Sequence, residues 1–380
     1  MSDLAAVETI LGQTRIEPRP YQARIVAKTL GMFLGSHRNG AGEVEPAARS
    51  VMIESPTGSG KTVMGLLVAR ALQDLAGVRV GWVAMRRNLL QQAEAENRAK
   101  GIGVDPIRFI SMFEKDPPTD IDLLVLDEGH HDAAGSMAHL HNVIRPRWIL
   151  GLTATPFRTD RVQLCFDKTV KDAGIHRLIQ DGFLSQYDHY TVPKWDVGQL
   201  ADLYCSDQQR WGKSVFFFHS VADCHALDRL LRERGVRSDV VTGTSDRESQ
   251  LEAFRQGDLQ VLANCMVLTE GFDDPSLQTA WVRPSGRGPT IQMAGRALRK
   301  CPGLEAKQVV QCKQTRHPFL KTARPRQQFL WEPDGWKSLT INPKIQTCAE
   351  NACRVIAQTV VELPAFLQQK QPRRPRRLRF

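Results

Sequence analysis

Ser55-Pro56-Thr57-Gly58-Ser59-Gly60-Lys61-Thr62 follows the apolar run Val51-Met52-Ile53 and precedes a helical pattern from Val63 to Leu75. A strand, a loop of small residues and a helix in that order make a cradle for a triphosphate. The loop from Pro56 through Thr57, Gly58, Ser59 and Gly60 can turn its backbone N–H groups toward a β-phosphate, and the helix N-terminus adds partial positive charge. Lys61 is spaced to bridge β- and γ-phosphates, and the Thr62 hydroxyl to ligate Mg²⁺. Ser55 stands where the common pattern has Gly or Ala.

A nucleotide motor needs a second, acidic element. Ile121-Asp122-Leu123-Leu124-Val125-Leu126 reads as a buried strand running into Asp127-Glu128-Gly129-His130-His131. Two carboxylates at a strand exit can diverge, Asp127 to the metal and Glu128 to the attacking water. His130 is placed to report the state of the site to a neighbouring element. His130, His131, Asp132, His139 and His141 also invite a metal-site reading, but their spacings match no zinc pattern and no cysteine joins them.

Upstream, Arg19-Pro20-Tyr21-Gln22 opens a helix at Pro20. The Gln22 carboxamide, both donor and acceptor, suits an adenine edge, with Tyr21 or Arg19 as a flat surface for the ring. After the phosphate-loop helix, a strand over 79–84 ends in Arg86-Arg87-Asn88-Leu89-Leu90-Gln91, and Arg86, Arg87 and Gln91 are candidates to grip a phosphodiester backbone. Trp148 to Arg158 holds a strand ending in Thr153-Ala154-Thr155, hydroxyls suited to coupling the acidic loop to whatever lies in the cleft. Residues 161–184 read as helical, with Gly182 as a C-terminal cap.

A second alternation of strands and helices begins at Ser214 and implies another parallel sheet covered by helices. It lacks a phosphate loop and is expected to close over the first site. Thr269-Glu270-Gly271-Phe272-Asp273-Asp274-Pro275 forms a polar loop able to touch nucleotide and nucleic acid. Gln292, Arg296 and Arg299 follow at helical spacings of four and three and share a face, from which arginines can neutralise a transferring γ-phosphoryl group.

In this order the motifs resemble a superfamily 2 helicase or translocase of the DExH type. The resemblance runs from about residue 19 to 300, with a glutamine motif at Arg19–Gln22, motif I at Ser55–Thr62 and motif Ia near Val83–Gln92. Motif II is Asp127–His130, motif III Thr153–Thr155, motif IV lies near Val215–Ser220, motif V is Thr269–Pro275 and motif VI Gln292–Arg299. The wording is most similar to the XPB-like and UvsW-like group and the motors of restriction enzymes. That resemblance implies two tandem RecA-like α/β domains with ATP and Mg²⁺ in the cleft, nucleic acid across the top of both, and 3′-to-5′ movement on DNA. It assigns Lys61 and Thr62 to phosphates and metal, Asp127 and Glu128 to metal and water, Arg296 and Arg299 to arginine fingers, and Gln22 to adenine. Gly271 and Asp273 join the nucleotide contacts, and Thr153, Thr155 and Thr269 the nucleic-acid contacts.

The expected organisation is an ATP-binding domain over 1–185, a connection over 186–213, a second RecA-like domain over 214–325, and an extension with a basic tail over 326–380. A chain of 380 residues can support two cores. Its mean hydropathy of −0.32 and lack of long apolar runs argue against a membrane partner. The first thirteen residues lack the basic start and apolar core of a secretory signal, so a cytoplasmic protein is expected. The formal charge of +10 is concentrated in the last eleven residues, which hold Lys370, Arg373, Arg374, Arg376, Arg377 and Arg379 and no acid. Such a tail favours polyanions.

Beyond Cys301, the cysteines Cys301, Cys312, Cys348 and Cys353 with His317 raise a zinc reading. Trp331 and Trp336 beside the basic stretch Lys313–Arg326 suggest an accessory nucleic-acid surface or a partner dock. No nuclease or wedge domain is recognisable, so a protein partner supplying targeting is expected. An RNA helicase and a non-catalytic scaffold are the competing readings.

Overall fold

The apolar run ahead of the phosphate loop becomes β1 (Ser50–Glu54), a strand buried on both faces within a parallel sheet. The computed structural model describes residues 3–17, 19–128, 135–154, 166–265, 267–269 and 272–339. The first sheet has the order β3 (Ile107–Ser111), β2 (Val80–Ala84), β4 (Leu123–Asp127), β5 (Trp148–Thr153), β1 and β6 (Lys168–Val170), all pairs parallel. Side chains alternate across it. Leu123 and Val125 enter the cluster that also holds α1 (Asp3–Gln13), α2 (Pro20–Leu34) and α3 (Lys61–Ala76), whereas Leu124 and Leu126 meet α5 (Gly135–Ile144) on the other face. Burial from both sides is why these strands are continuous apolar runs.

The second sheet has the order β14 (Gly335–Ser338), β13 (Gln327–Glu332), β7 (Gln186–Val192), β12 (Ala306–Cys312), β11 (Thr279–Trp281), β8 (Ser214–Phe218), β10 (Val261–Cys265) and β9 (Ser238–Val241). From β13 to β9 every pair is parallel. The run Val215-Phe216-Phe217-Phe218 again splits. Val215 and Phe217 face the cluster shared with the first sheet, and Phe216 and Phe218 the cluster of α7 (Val197–Ser206) and α9 (Val221–Arg232). α10 (Arg247–Gln256) and α11 (Arg287–Gly295) contribute to the shared cluster. The two sheets are therefore the pair of RecA-like layers that the motif order implied.

Three segments differ from their sequence reading. Residues 186–213, expected as a connection, contain β7 between β12 and β13, then α7 and the short α8 (Gln208–Trp211). β7 carries Asp188 and His189 in buried positions, which breaks the apolar run that marks the other strands. Each is satisfied by a residue distant in sequence: Arg326 donates to Asp188 at 2.7 and 3.0 Å, and His189 lies 3.1 Å from the Gln311 amide oxygen. Second, 161–184 is not one helix, since β6 joins the edge of the first sheet beside β1 and only α6 (Ile175–Gln180) follows. Its entry is fixed by Asp167, whose carboxylate accepts the N–H groups of Arg49 and Ser50 at 2.9 Å.

Third, Trp331 and Trp336 are not a free surface. Trp336 packs 5.0 Å from the Tyr190 ring and 5.7 Å from the Trp211 ring, sealing the outer core of the second sheet. Cys312 is buried and Cys301 half-buried, and Cys348 and Cys353 lie outside the described residues. No group of three or more His, Cys, Asp or Glu suited to a metal occurs among the described residues. None of the described helices is long and apolar enough to cross a membrane.

The segment after β12 is tied back through Tyr187, a fully buried side chain whose hydroxyl donates to the Ala323 carbonyl at 2.5 Å. Tyr187→Phe leaves that carbonyl without this donor, and a loss of about 1 kcal/mol is expected. Urea unfolding reads it, and an unchanged midpoint would show that this strap does not depend on the hydroxyl.

Candidate nucleotide site

Between β1 and α3 the chain turns through Gly58 and Gly60, with φ of +82° and +81°, a conformation that a Cβ disfavours. The turn is braced from three sides. Ser55 Oγ donates to Ser59 Oγ at 2.7 Å, so the hydroxyl at the departure from the common pattern closes the loop on itself. Tyr21 and Gln22, in the first turn of α2, both donate to the Ser59 carbonyl, at 2.6 and 2.7 Å. Both were expected at adenine. Here Gln22 spends an amide hydrogen on the loop backbone and is buried, and Tyr21 packs edge-on against Phe183 at 5.1 Å.

β4 ends at Asp127, and Glu128 follows with φ of +54°. A non-glycine residue in the left-handed region is uncommon and costs on the order of 1 kcal/mol. The reversal lets two successive carboxylates face one cleft where a continued strand would point them apart. Glu128 N–H donates to Asp127 Oδ1 at 3.0 Å. Burial and the Glu128 charge together push the Asp127 carboxyl well above its ordinary range, against the opposing pull of Lys61. Burial pushes the Lys61 ammonium down, with Glu128 and then Asp127 opposing.

Lys61, Thr62, Asp127 and Glu128 line one cavity of about 670 Å³ together with Asp273, Arg296 and Arg299 from the second sheet's side. α11 ends at Gly295, and the following N–H groups bond three residues back, Ala297 to Ala294 and Leu298 to Gly295. This tight exit carries Arg296 and Arg299 into the cleft, whereas Gln292 is not among the residues lining it. Arg296 Nη1 donates to the Phe272 carbonyl at 2.9 Å. Arg299 is ion-paired with Asp273, and burial pushes its guanidinium down to about 10. The approach of the two sides depends on Gly295, where a Cβ would meet Thr57 Cβ at 3.3 Å.

Several lining residues had no local signal in the sequence. Phe183 sits in what looked like a helix cap, yet it lines the cavity with Arg19, whose guanidinium lies 5.8 Å from its ring centre. Glu96, on α4 (Arg87–Ala99), faces the same cavity with an enclosed Oε2 that has no partner.

The expected nucleic-acid contacts are placed unevenly. Arg87 and Gln91 are exposed, while Arg86 Nη1 reaches the Val267 carbonyl at 3.3 Å. Thr153 is fully buried at the end of β5, and its carbonyl accepts the Ser55 N–H at 2.9 Å, so its hydroxyl is not at the surface. Thr269 closes a short 3₁₀ turn, Val267–Thr269. His130, Thr155 and Gly271 lie outside the described residues.

Residues 15–106 and 107–158 match a family model described as type III restriction enzyme, res subunit, and residues 196–301 match the helicase conserved C-terminal domain. The chain is 24% identical over 256 residues to a 51.5 kDa protein of a Lactococcus phage (isolate 7-9), covering 59% of this chain and 56% of that protein. It is 25% identical over 231 residues to IRC3 of Saccharomyces cerevisiae, a candidate ATP-dependent helicase, covering 50% of this chain and 34% of the relative. The chain thus spans about half or less of these curated relatives. The solved structure of S. cerevisiae Dbp5 bound to RNA and ADP BeF3 superposes with a TM-score of 0.57 at 14% identity, over 94% of this chain and 97% of that one, a likeness of fold.

Proposed function

Because the chain belongs to superfamily 2 of the helicases, we propose that it is an ATP-driven translocase or helicase acting on DNA, moving 3′ to 5′. The observation that carries this reading is the convergence of Lys61, Asp127 and Glu128 with Arg296 and Arg299 on one cleft between two RecA-like layers. A cleft with catalytic groups on both sides couples hydrolysis to the relative motion of those sides. The likeness of residues 15–158 to a restriction-enzyme subunit favours DNA over RNA.

In this reading the phosphate loop and Lys61 hold the β- and γ-phosphates. The hydroxyl of Thr62 and the carboxylate of Asp127 are hard oxygen donors beside Lys61, a set that fits Mg²⁺. When bound, that ion neutralises phosphate charge. Glu128 orients the attacking water and accepts its proton. Arg296 and Arg299 stabilise the charge on the transferring group. Arg19 and Phe183 offer flat surfaces for the base, and the Gln22 amide retains a second hydrogen for it. Arg87 and Gln91 contact the strand, and a protein partner supplies targeting.

Phosphate release measured without nucleic acid and with single-stranded DNA, duplex DNA or RNA tests the reading. Stimulation by DNA is expected. Stimulation by RNA alone would replace DNA with RNA as the track, and no hydrolysis under any condition would replace the motor with a scaffold.

A further inference from the structure

Arg283 follows β11 and is 6% exposed, yet no carboxylate faces it among the described residues. Its Nη1 donates to Ser285 Oγ at 2.8 Å and lies 3.0 Å from His219 Nε2, and its Nε is enclosed without an acceptor. Burial pushes the guanidinium down, and among the described residues only Cys265 acts against that shift. A buried cation without an anion is costly and calls for a ligand that supplies the missing charge.

The same corner holds a second unbalanced charge. Ser285 immediately precedes Gly286, the N-cap of α11, which has no side-chain cap and no acid in its first turn. The first helical residue is instead Arg287, exposed at the positive end of the helix dipole, where a cation is unfavourable. Between Asp274 and Glu332 the chain has eleven Lys and Arg residues and a single acid, Glu305. The corner also lies at the carboxyl ends of β8, β10 and β11, the edge where parallel sheets receive ligands.

We propose that Arg283, Ser285 and the N-terminus of α11, with Arg287 at the rim, hold one phosphodiester of a bound nucleic-acid strand. The oxygens of the phosphodiester accept from the guanidinium, the serine hydroxyl and the first N–H groups of α11. His219 Nε2, 3.1 Å from the Pro284 carbonyl, can donate to that carbonyl once the phosphate takes its place against Arg283. The proposal rests on the reading that this chain acts on nucleic acid.

The test is binding of a fluorescein-labelled oligo(dT) to wild type, Arg283→Met and Arg287→Gln, measured by anisotropy across a salt series, with thermal melting as the folding control. Loss of one phosphate contact should weaken binding about tenfold and reduce the slope of log affinity against log salt by about 0.7. The exposed Arg287→Gln keeps the test decisive should the buried substitution unfold the protein. Folded variants with wild-type affinity and slope would overturn the site. So would variants that lose only a stabilising response to inorganic phosphate, which would make it a free-phosphate pocket. Wild type that binds neither oligo(dT) nor an RNA counterpart would remove the nucleic-acid reading itself, and the site with it.

Discussion

Glu128→Gln is expected to lower nucleic-acid-stimulated ATP hydrolysis by about 10²- to 10⁴-fold, the usual contribution of a positioned general base. The substitution keeps shape and volume but cannot accept a proton. Its effect should fall on kcat, because Lys61 and the phosphate loop, which carry ground-state binding in the proposed mechanism, are untouched. Nucleotide binding should hold or tighten, since removing the Glu128 charge relieves the repulsion that, after burial, holds the Asp127 carboxyl up. Single-turnover hydrolysis with a parallel binding titration of a fluorescent ATP analogue separates the two effects. Hydrolysis within a few-fold of wild type would assign the base elsewhere.

Arg299→Ala is expected to cost about 10³-fold in hydrolysis, the scale of an arginine finger. Arg299 enters the cleft from the far side and is held by Asp273, so in the hydrolytic state it must exchange a carboxylate for the γ-phosphoryl oxygens. Arg299→Lys should recover only part of the loss, because an ammonium cannot present a planar fork to a phosphoryl group. Steady-state kinetics would show a fall in kcat with little change in KM. A raised KM with kcat intact would make Arg299 a ground-state contact instead.

Much of this molecule is readable in one dimension because parallel strands covered on both faces must be apolar runs, and because phosphate chemistry constrains residue type and spacing tightly. The phosphate loop, the strand leading to Asp127 and the alternation from Ser214 onward have these properties. β7 does not, since its buried Asp188 and His189 are satisfied by Arg326 and Gln311, more than a hundred residues away. Local pattern cannot display a partner at that distance. The helical spacing of Arg296 and Arg299 pointed to the cleft they line by an incomplete argument, because the helix ends before either residue. Phe183 and Glu96 were illegible because their place in the cavity depends on how two layers meet. The positive φ at Glu128 was invisible for a simpler reason: nothing in Asp-Glu-Gly distinguishes a carboxylate that turns back from one that continues.

Among the described residues the chain passes from the first sheet to the second once, just before β7, and Ser185 at that passage is bonded twice to the exit of α11: its N–H to the Leu298 carbonyl at 2.8 Å and its hydroxyl to the Arg299 carbonyl at 3.1 Å. The passage and the residue proposed as a finger are thereby one connected part. In the proposed motor, rotation about this passage would swing Arg299 on a short arm while strand ends farther from the axis travel on a long one. Such gearing would convert a slight displacement at the phosphate into a larger stride at the rim, and a substitution that loosens Ser185 from α11 would introduce backlash between the two.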